Sequence, residues 1–334
     1  MNDRVCAVVV TYNRRELLIE CLEALKNQTR PLNCIYIVDN NSQDGTGQLL
    51  HEKGYLEEVP ETGEMVAEVT HRHQQIGINY IRLPENLGGA GGYYEGLKKA
   101  HQSGCQWMWL MDDDAFPDRK ALEELSKYFH QDDRAALASV VQDVDHHILE
   151  DTRGDFDFNH IFPDIPKPLT PRDYQESEVV EIDFASFVGI LLNKKAIDSA
   201  GFPKKEFFMI HDDVEYCIRI RRACRILLVT SSIIYHPLLT RGGSTINFLG
   251  RSIEKIPSDE FWMEYYATRN FIWIGKTYHT SKKFYGELLV NYLKTLFLIL
   301  FFYDYKYKKA MVITHAYLDG LNGNFDNDKA KRYI

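Results

Sequence analysis

Short apolar runs that end in polar residues alternate with amphipathic stretches along the first hundred residues. Residues 5–13, VCAVVVTYN, form a continuous apolar run typical of a strand buried on both faces of a parallel sheet. Residues 14–29, RRELLIECLEALKNQT, place leucines at helical spacing without glycine or proline, which predicts an amphipathic helix. Residues 34–46 repeat the strand pattern and residues 45–53 suggest a short helix. This order predicts a doubly wound α/β sheet.

The next segment is less regular. Residues 51–75 are polar and acidic with little periodicity, and we interpret them as a loop or a local insertion. Residues 78–104 predict a strand, a glycine turn and a helix, whose first amides can face a phosphate. The glycines of the turn match neither GxGxxG nor GxxxxGK[ST], so they predict neither a dinucleotide-binding fingerprint nor a P-loop. They are Gly88, Gly89, Gly91 and Gly92.

The fourth predicted strand, WMWLM at 107–111, ends in three consecutive carboxylates, Asp112, Asp113 and Asp114. Acidic clusters are most often solvated loops, but carboxylates delivered by a buried strand need compensation, and a divalent cation with oxygen ligands provides it. Ligands of doubly wound sheets bind beyond the carboxyl ends of the strands. We therefore expect the aspartates to meet polar residues that follow earlier strands, although helix capping explains any one of those residues equally well. These residues are Thr11 to Asn13 and Asp39 to Asn41.

Two further features lie later in the chain. Asp212 and Asp213 precede a helical pattern within residues 211–229, where the helix dipole stabilises negative charge and simple capping is the alternative. His236 ends an apolar strand, a position at which a histidine is more often structural than metal-bound.

Six stretches of the chain together resemble the family 2 glycosyltransferases with the GT-A fold. In order they are VVVTYNRRELL, IVDNNSQDGT, PENLGGAGGYYEG, WLMDDDAFPD, IHDDVEYCIRI and YHP. NLGGAGG followed by three aspartates looks most like the bacterial transferases that build surface polysaccharides from activated galactofuranose or rhamnose. The resemblance implies a Rossmann-like, doubly wound mixed sheet with a C-terminal helical region. We expect a nucleotide-sugar-binding catalytic domain at 1–240 and a flexible loop followed by helices at 241–334.

The resemblance also implies roles for individual residues. Asp112 and Asp114 are expected to bind Mn²⁺ or Mg²⁺, which neutralises the leaving diphosphate, while Asp112 and Asp113 contact the nucleotide. Asp213 is expected to act as general base, which predicts an inverted product because no nucleophile accompanies it. His236, 23 residues after Asp213, is expected to complete the metal site. The other implied residues are Thr11, Asn13, Asp39 and Asn86 at the nucleotide, with Asp39 reading the base edge, and Asp212 and His211 at the acceptor.

The implied reaction moves a sugar from a UDP- or dTDP-linked donor to a hydroxyl of a glycan or lipid-linked glycan in bacterial polysaccharide synthesis. A sugar-phosphate nucleotidyltransferase is one alternative, but it is expected to open with a glycine-rich basic loop, and TYNRRELL contains no glycine. The other alternative is a non-catalytic scaffold that binds sugar nucleotides. The presence of Asp114, Asp213 and His236 argues against it.

Composition and charge limit the size of the core and the kind of partner that we expect. The 334 residues are 45% hydrophobic and 26% charged, enough for one large core or a domain with an appendage. Residues 241–334 carry 14 Lys and Arg against 9 Asp and Glu, whereas residues 1–240 carry 25 against 39. An acidic body with a basic tail argues against a nucleic-acid partner and is compatible with an anionic membrane surface.

The cysteines and the N-terminus suggest a cellular location. The six cysteines lie in apolar or helical stretches without a CxxC pair, which predicts reduced, buried thiols rather than disulfides or a zinc site. MNDRVCAVVV enters a strand pattern without a basic region and a long apolar core, so we expect no signal peptide. Together these features predict a cytoplasmic protein, free or on the inner face of the membrane.

The tail predicts a loop followed by helices. LLTRGGSTINF, at 238–248, has the composition of a mobile loop and suggests a lid over the donor. Residues 261–321 read as helices, in which Arg269 and Asn270 resemble a segment near the acceptor, although an aromatic stripe is more often core. The uninterrupted apolar run Leu296–Tyr303 is too short to span a bilayer. It predicts either peripheral membrane contact, with Lys306, Lys308 and Lys309 at the headgroups, or a homo-oligomer interface.

Overall fold

The computed structural model describes residues 3–71, 74–131, 135–157, 167–237, 244–248, 251–257, 260–278 and 283–332. The chain forms two compact units. The first comprises residues 1–156, 166–205 and 213–238, and the second comprises residues 157–165, 206–212 and 239–334. The short segment 206–212, predicted within the catalytic domain, thus groups with the C-terminal residues.

The first unit is built on a mixed sheet with flanking helices. Its strands are β1 Val5–Thr11, β2 Cys34–Asp39, β3 Gly63–His71, β4 Gln74–Arg82, β5 Trp107–Asp112, β6 Phe116–Pro117, β7 Ala136–Gln142, β8 Arg153–Asp155, β9 Lys167–Pro168, β10 Val179–Ile182, β11 Phe184–Ala185, β12 Ile190–Asn193 and β13 Ile226–Tyr235. Its helices are α1 Arg15–Lys26, α2 Thr46–Glu52, α3 Gly88–Gln102, α4 Ala121–Ser126, α5 Pro171–Glu176, α6 Lys194–Ala200 and α7 Asp212–Ala223, which begins at the boundary of the unit.

The strand order of the main sheet is β10-β13-β7-β12-β5-β1-β2-β4-β3, and β6 pairs with β13. β1 pairs in parallel with β2 and β5, β2 with β4, and β7 with β13, whereas β12 runs antiparallel between β5 and β7. Every residue of β1 and β2 is buried, as expected for strands covered on both faces. The predicted doubly wound mixed sheet is confirmed.

The glycine-rich stretch lies inside a helix rather than in a turn before it. α3 begins at Gly88, so the predicted boundary was too late. A Cβ on Gly92 would lie 2.5 Å from Cγ1 of Val10, and one on Gly96 would lie 2.5 Å from Cγ1 of Val8. Because these two glycines have no side chain, α3 packs directly on β1. This close packing is the reason that both positions are glycine.

Two predictions for this unit were wrong. Residues 51–75, interpreted as a loop, contain β3, which pairs antiparallel with β4 at the edge of the sheet. The cysteines are not all reduced, because Cys6 of β1 and Cys105 form a disulfide. β1 pairs with β5, and Cys105 lies just before β5, so the fold brings together two cysteines that are 99 residues apart. Cys34 Sγ lies 2.9 Å from Cys6 Sγ.

The second unit contains a β-hairpin and helices. Its elements are β14 Ser244–Phe248, β15 Arg251–Lys255, α8 Met263–Tyr278, α9 Lys283–Phe302, α10 Lys306–Asn322 and α11 Asp328–Lys331. The helices of the predicted tail are present. The predicted loop at 238–248 is wrong for residues 244–248, which form β14, and residues 238–243 lie outside the described residues.

Arg269 and Asn270 are fully buried inside the second unit. The amide Nδ2 of Asn270 donates to the carbonyls of Phe207, Met209 and Ile210 at 2.9 to 3.0 Å. The Arg269 guanidinium also donates to the Phe207 carbonyl, at 2.9 Å. These two residues therefore donate hydrogen bonds to the backbone carbonyls of residues 206–210, a segment that has little regular structure of its own.

Helix α9 differs from the expectation drawn from its short apolar run. The helix has 20 residues, and an 18-residue window within it has a mean hydropathy of 1.4 and is 17% buried. Among the described helices it alone is long and apolar enough to cross a membrane, by length and composition only. The sequence argument considered only the eight-residue run Leu296–Tyr303, so it does not decide whether the whole helix could span a bilayer. Two charged residues, Glu287 and Lys294, lie within the helix.

Candidate active site

The three consecutive aspartates lie where β5 ends, beside the end of β13. The chain turns after Asp114 into β6, whose Phe116 pairs with Tyr235 at the end of β13. This pairing places Asp114 next to His236, with Oδ1 of the carboxylate 3.0 Å from Nε2 of the imidazole. Residues separated by more than a hundred positions thus meet at the carboxyl edge of the sheet, where ligands of such folds bind.

Asp112, Asp114 and His236 have the arrangement of a cation site. One ligand atom from each lies within 4.8 Å of the others. Oδ1 of Asp114 is buried and accepts no well-directed hydrogen bond, although His236 Nε2 is close to it. A buried carboxylate oxygen needs a positive partner, which the His236 imidazole provides in the metal-free protein and a bound cation would provide at the same position. Two carboxylates and an imidazole are suitable ligands for a divalent ion such as Mn²⁺, so the residues fit the expected metal.

The charges at this edge perturb one another. Burial raises the pKa of the Asp112 carboxyl, and the charge of Asp114 raises it further. Burial also acts on Asp114, but the His236 imidazole and the Arg14 guanidinium outweigh it and hold the pKa of Asp114 below its usual value. In turn, the pKa of His236 is raised, because the Asp114 carboxylate outweighs the effect of burial. Of the two carboxylates in the candidate metal site, Asp114 therefore stays ionised to the lower pH.

Asp113 points to the neighbouring strand. Its Oδ2 accepts a hydrogen bond from the Thr11 hydroxyl at 2.7 Å, and its Oδ1 lies 3.4 Å from Nη1 of Arg14. Burial is the main reason that the pKa of Asp113 is raised to about 7. Thr11 and Asp113, predicted from separate motifs, thus form one contact.

Sequence reasoning missed two side chains that contact the aspartates. Nη1 of Arg14 lies 2.6 Å from Oδ2 of Asp114, and the Arg14 side chain remains 41% exposed. The hydroxyl of Tyr93, on α3, donates to Oδ1 of Asp112. Arg14 directly follows the TYN stretch, so its position after the first strand was a usable signal. Nothing in the local sequence distinguishes Tyr93 from a core aromatic.

Three predicted nucleotide-binding residues make contacts within the protein. Asp39 is buried, and its oxygens accept hydrogen bonds from the Ser42 amide at 2.7 Å and the Tyr80 hydroxyl at 2.5 Å. The side-chain oxygen of Asn13 accepts from the Gln43 amide. The side-chain oxygen of Asn86 accepts from the Gly88 amide at the start of α3. These are local turn contacts rather than helix caps, because the helices α1, α2 and α3 have no side-chain N-cap hydrogen bond. A nucleotide contact by the same residues stays a prediction.

Asp213 lies at the beginning of α7, where its side chain is partly buried. Burial raises the pKa of its carboxyl to about 6, and the charge of Asp112 contributes. The buried guanidinium of Arg153, which donates to the carbonyls of Ser139 and Val188, acts in the opposite direction. A carboxylate that ionises near neutral pH is a suitable general base.

The two residues before Asp213 belong to the second unit. Asp212 is buried, and His211 has a positive φ of 65° and packs near Phe271, with ring centroids 5.6 Å apart. Burial lowers the pKa of His211 to about 4, so its imidazole is neutral at physiological pH. An acceptor contact by either residue stays a prediction.

The fold and the acidic edge define the class of the protein. Residues 3–237 match the model of the family described as "Glycosyltransferase like family 2", and the chain belongs to this family. It has the GT-A fold. Its structure superposes on TarS 1-349 of S. aureus with a TM-score of 0.55 at 12% identity, over 99% of this chain and 83% of that one. It superposes on GalNAc-T7, solved with UDP, GalNAc and Mn²⁺, with a TM-score of 0.57 at 11% identity, over 99% of this chain and 58% of that one.

Curated relatives share part of their length with this chain. Galactofuranosyltransferase GlfT1 of Mycolicibacterium smegmatis is 30% identical over 223 residues, which are 66% of each chain. GlfT1 of Mycobacterium tuberculosis is 29% identical over 224 residues, which are 67% of this chain and 66% of the relative. The match therefore spans just under two thirds of the length of these relatives.

Proposed function

We propose that the protein is a metal-dependent, inverting glycosyltransferase that moves galactofuranose from UDP-galactofuranose to a hydroxyl of a glycan or lipid-linked glycan. The observation that carries the proposal is the convergence of Asp112, Asp114 and His236 at the carboxyl edge of the sheet. The similarity to two galactofuranosyltransferases favours galactofuranose over rhamnose as the transferred sugar. A solved complex of TarS with UDP is consistent with a UDP-linked donor.

In the proposed reaction Asp213 accepts the proton of the acceptor hydroxyl. The hydroxyl oxygen attacks the anomeric carbon of the donor as the bond from that carbon to the diphosphate oxygen breaks, and nucleoside diphosphate leaves. A single displacement inverts the anomeric configuration. Mn²⁺ or Mg²⁺ held by Asp112, Asp114 and His236 would supply Lewis-acid stabilisation of the leaving diphosphate. Arg14, next to Asp114 and partly exposed, would add a positive charge to the same region.

A donor panel tests the proposal. Thermal unfolding is followed with UDP-galactofuranose, dTDP-rhamnose and UDP alone, each with and without Mn²⁺, because a ligand that binds the native state raises its stability. We expect the largest shift with UDP-galactofuranose plus Mn²⁺, and His236→Ala should abolish the metal-dependent part. Transfer to a glycan acceptor is then measured, and the anomeric configuration of the product is read by NMR.

The same samples test the two alternatives. Release of pyrophosphate from a nucleoside triphosphate and a sugar phosphate would identify a nucleotidyltransferase and refute the proposal. Donor binding without transfer or hydrolysis would instead support a non-catalytic scaffold. Retention of the anomeric configuration would contradict the assignment of Asp213 as the base of a single displacement.

A further inference from the structure

The exposed apolar side chains of the protein are concentrated on one helix and the start of the next. Among the described residues, all exposed large apolar side chains except Tyr12, Val66 and Val144 lie between residues 285 and 318. Those on α9 follow one another at steps of three or four residues, apart from two adjacent pairs, which places them on one side of the helix. We call them the apolar face: Tyr285, Leu289, Val290, Leu293, Phe297, Leu300 and Phe301.

The apolar face is not the side of α9 that stabilises the second unit. Phe284, Leu288 and Ile299 of the same helix are buried in the core of that unit. The apolar face leaves Leu293 56% and Phe301 65% exposed. Contiguous exposed apolar surface of this kind is unusual in soluble proteins and marks an interaction surface.

An apolar groove adjoins the face between α9 and α10. It has a volume of about 250 Å³. Tyr285 and Leu289 belong to both the groove and the apolar face. Its other lining residues include Leu288, Tyr292, Tyr317 and Leu318.

Tyrosines and lysines follow the face where α9 ends and α10 begins. Tyr305 and Tyr307 are 74% and 84% exposed, and they alternate with the exposed Lys306 and Lys308. Aromatic rings with a polar tip and cationic side chains are enriched at the depth of lipid headgroups. Lys309, also expected at the headgroups, is instead buried, with its Nζ 4.7 Å from the centroid of the Tyr303 ring. The exposed residues from Lys283 to Lys308 include four lysines against two carboxylates, so the surface has an excess of positive charge.

We propose that the apolar face docks on the surface of an anionic lipid bilayer, with α9 lying parallel to the membrane plane and Lys306 and Lys308 at the headgroups. A spanning orientation is disfavoured because Glu287 and Lys294 lie within the helix and because its opposite side packs in the core of the unit. The proposal does not depend on the transfer reaction.

Vesicle sedimentation with the full chain tests the proposal. The probes are vesicles of phosphatidylcholine alone and of phosphatidylcholine mixed with phosphatidylglycerol. We expect binding that is stronger to the mixed vesicles. The variant Leu293→Ser/Phe297→Ser/Phe301→Ser should lower the partition coefficient by roughly a hundredfold, because three apolar side chains no longer enter the bilayer. The matched control Val66→Ser/Val144→Ser changes exposed apolar residues of the first unit and should bind as the wild type does.

A second variant keeps the apolar face intact. Lys306→Glu/Lys308→Glu should weaken binding to the mixed vesicles by about tenfold or more and change binding to neutral vesicles far less. Lys53→Glu, on the first unit, is its control. Circular dichroism of each variant verifies that the helices form. The proposal would be overturned if the wild-type protein bound neither kind of vesicle, or if the triple-serine variant bound as strongly as the wild type.

Sedimentation equilibrium separates a lipid surface from a second copy of the chain. A dimer that the triple-serine variant dissociates, in a protein that does not bind vesicles, would assign the face to self-association and would also overturn the proposal. Because vesicle binding is measured without donor or acceptor, its failure is distinguishable from a failure of glycosyl transfer.

Discussion

Replacing Asp213 by asparagine should stabilise the protein while it abolishes transfer. The environment of Asp213 raises the pKa of its carboxyl from 3.8 to about 6, mainly through burial, so its ionised form opposes folding. A shift of about two pKa units corresponds to about 3 kcal/mol of folding free energy. An asparagine is neutral, and its side-chain oxygen can still accept the hydrogen bond that Asp213 accepts from the Val214 amide at 2.7 Å.

The sign of the pH dependence follows from the direction of the shift. Above a pH of about 6 the carboxyl is ionised in both the folded and the unfolded protein, and the destabilisation by Asp213 is complete. As the pH falls through the folded pKa towards 3.8, the folded protein takes up a proton first and the destabilisation is relieved. The stability difference between the variant and the wild type should therefore approach about 3 kcal/mol at pH 8 and vanish near pH 3.

Urea unfolding of the metal-free protein, followed by circular dichroism, measures this difference at several pH values. Asp145→Asn is the control, because Asp145 is an exposed aspartate. Transfer by Asp213→Asn should fall by about a hundredfold to ten-thousandfold, the usual contribution of a general base. An equal stability difference at pH 8 and pH 3, or none at all, would refute the electrostatic reasoning, and retained turnover would place the base elsewhere.

Four further outcomes are expected. The transfer rate should fall as the pH drops through about 6, because Asp213 must be ionised to accept a proton; a flat profile to pH 5 would contradict this. Gly92→Ala should cost about 1 to 3 kcal/mol in urea unfolding by clashing with β1, whereas Gly89→Ala, which meets no atom within 4 Å, should not destabilise the protein. His236→Ala should lower Mn²⁺ affinity about tenfold or more in calorimetry, and unchanged affinity would remove it from the site. Asn270→Leu should destabilise the second unit by about 1 to 3 kcal/mol in thermal unfolding, since buried carbonyls lose their donor; unchanged stability would contradict its structural role.

The central strands were predictable because they are buried on both faces. β1 and β2 have apolar side chains at nearly every position, so their strands stand out in the sequence without tertiary information. β3 lies at the edge of the sheet and mostly exposes its side chains, and its sequence GEMVAEVTH lacks a long apolar run. The same sheet therefore contains strands that are evident in the sequence and one that forms through its pairing with β4.

The candidate site was predictable where strand ends determine it. Asp112, Asp114 and His236 each follow a recognisable strand, and the doubly wound order predicts that such ends share one edge. Tyr93 reaches Asp112 from a helix, and that contact depends on how closely α3 packs on the sheet. The disulfide partner of Cys6 was likewise not predictable, because it depends on the pairing of β1 with β5.

Charge balance explains why three consecutive aspartates can end a buried strand. In the metal-free protein the three carboxylates face one guanidinium, that of Arg14, and one imidazole, that of His236. Both cations interact most closely with Asp114, and its pKa is the one that is lowered. Asp112 and Asp113 have raised pKa values, mainly because burial disfavours their ionised forms. A divalent cation held by Asp112, Asp114 and His236 would supply the missing positive charge, and this would link the order of the strands to the proposed chemistry of the site.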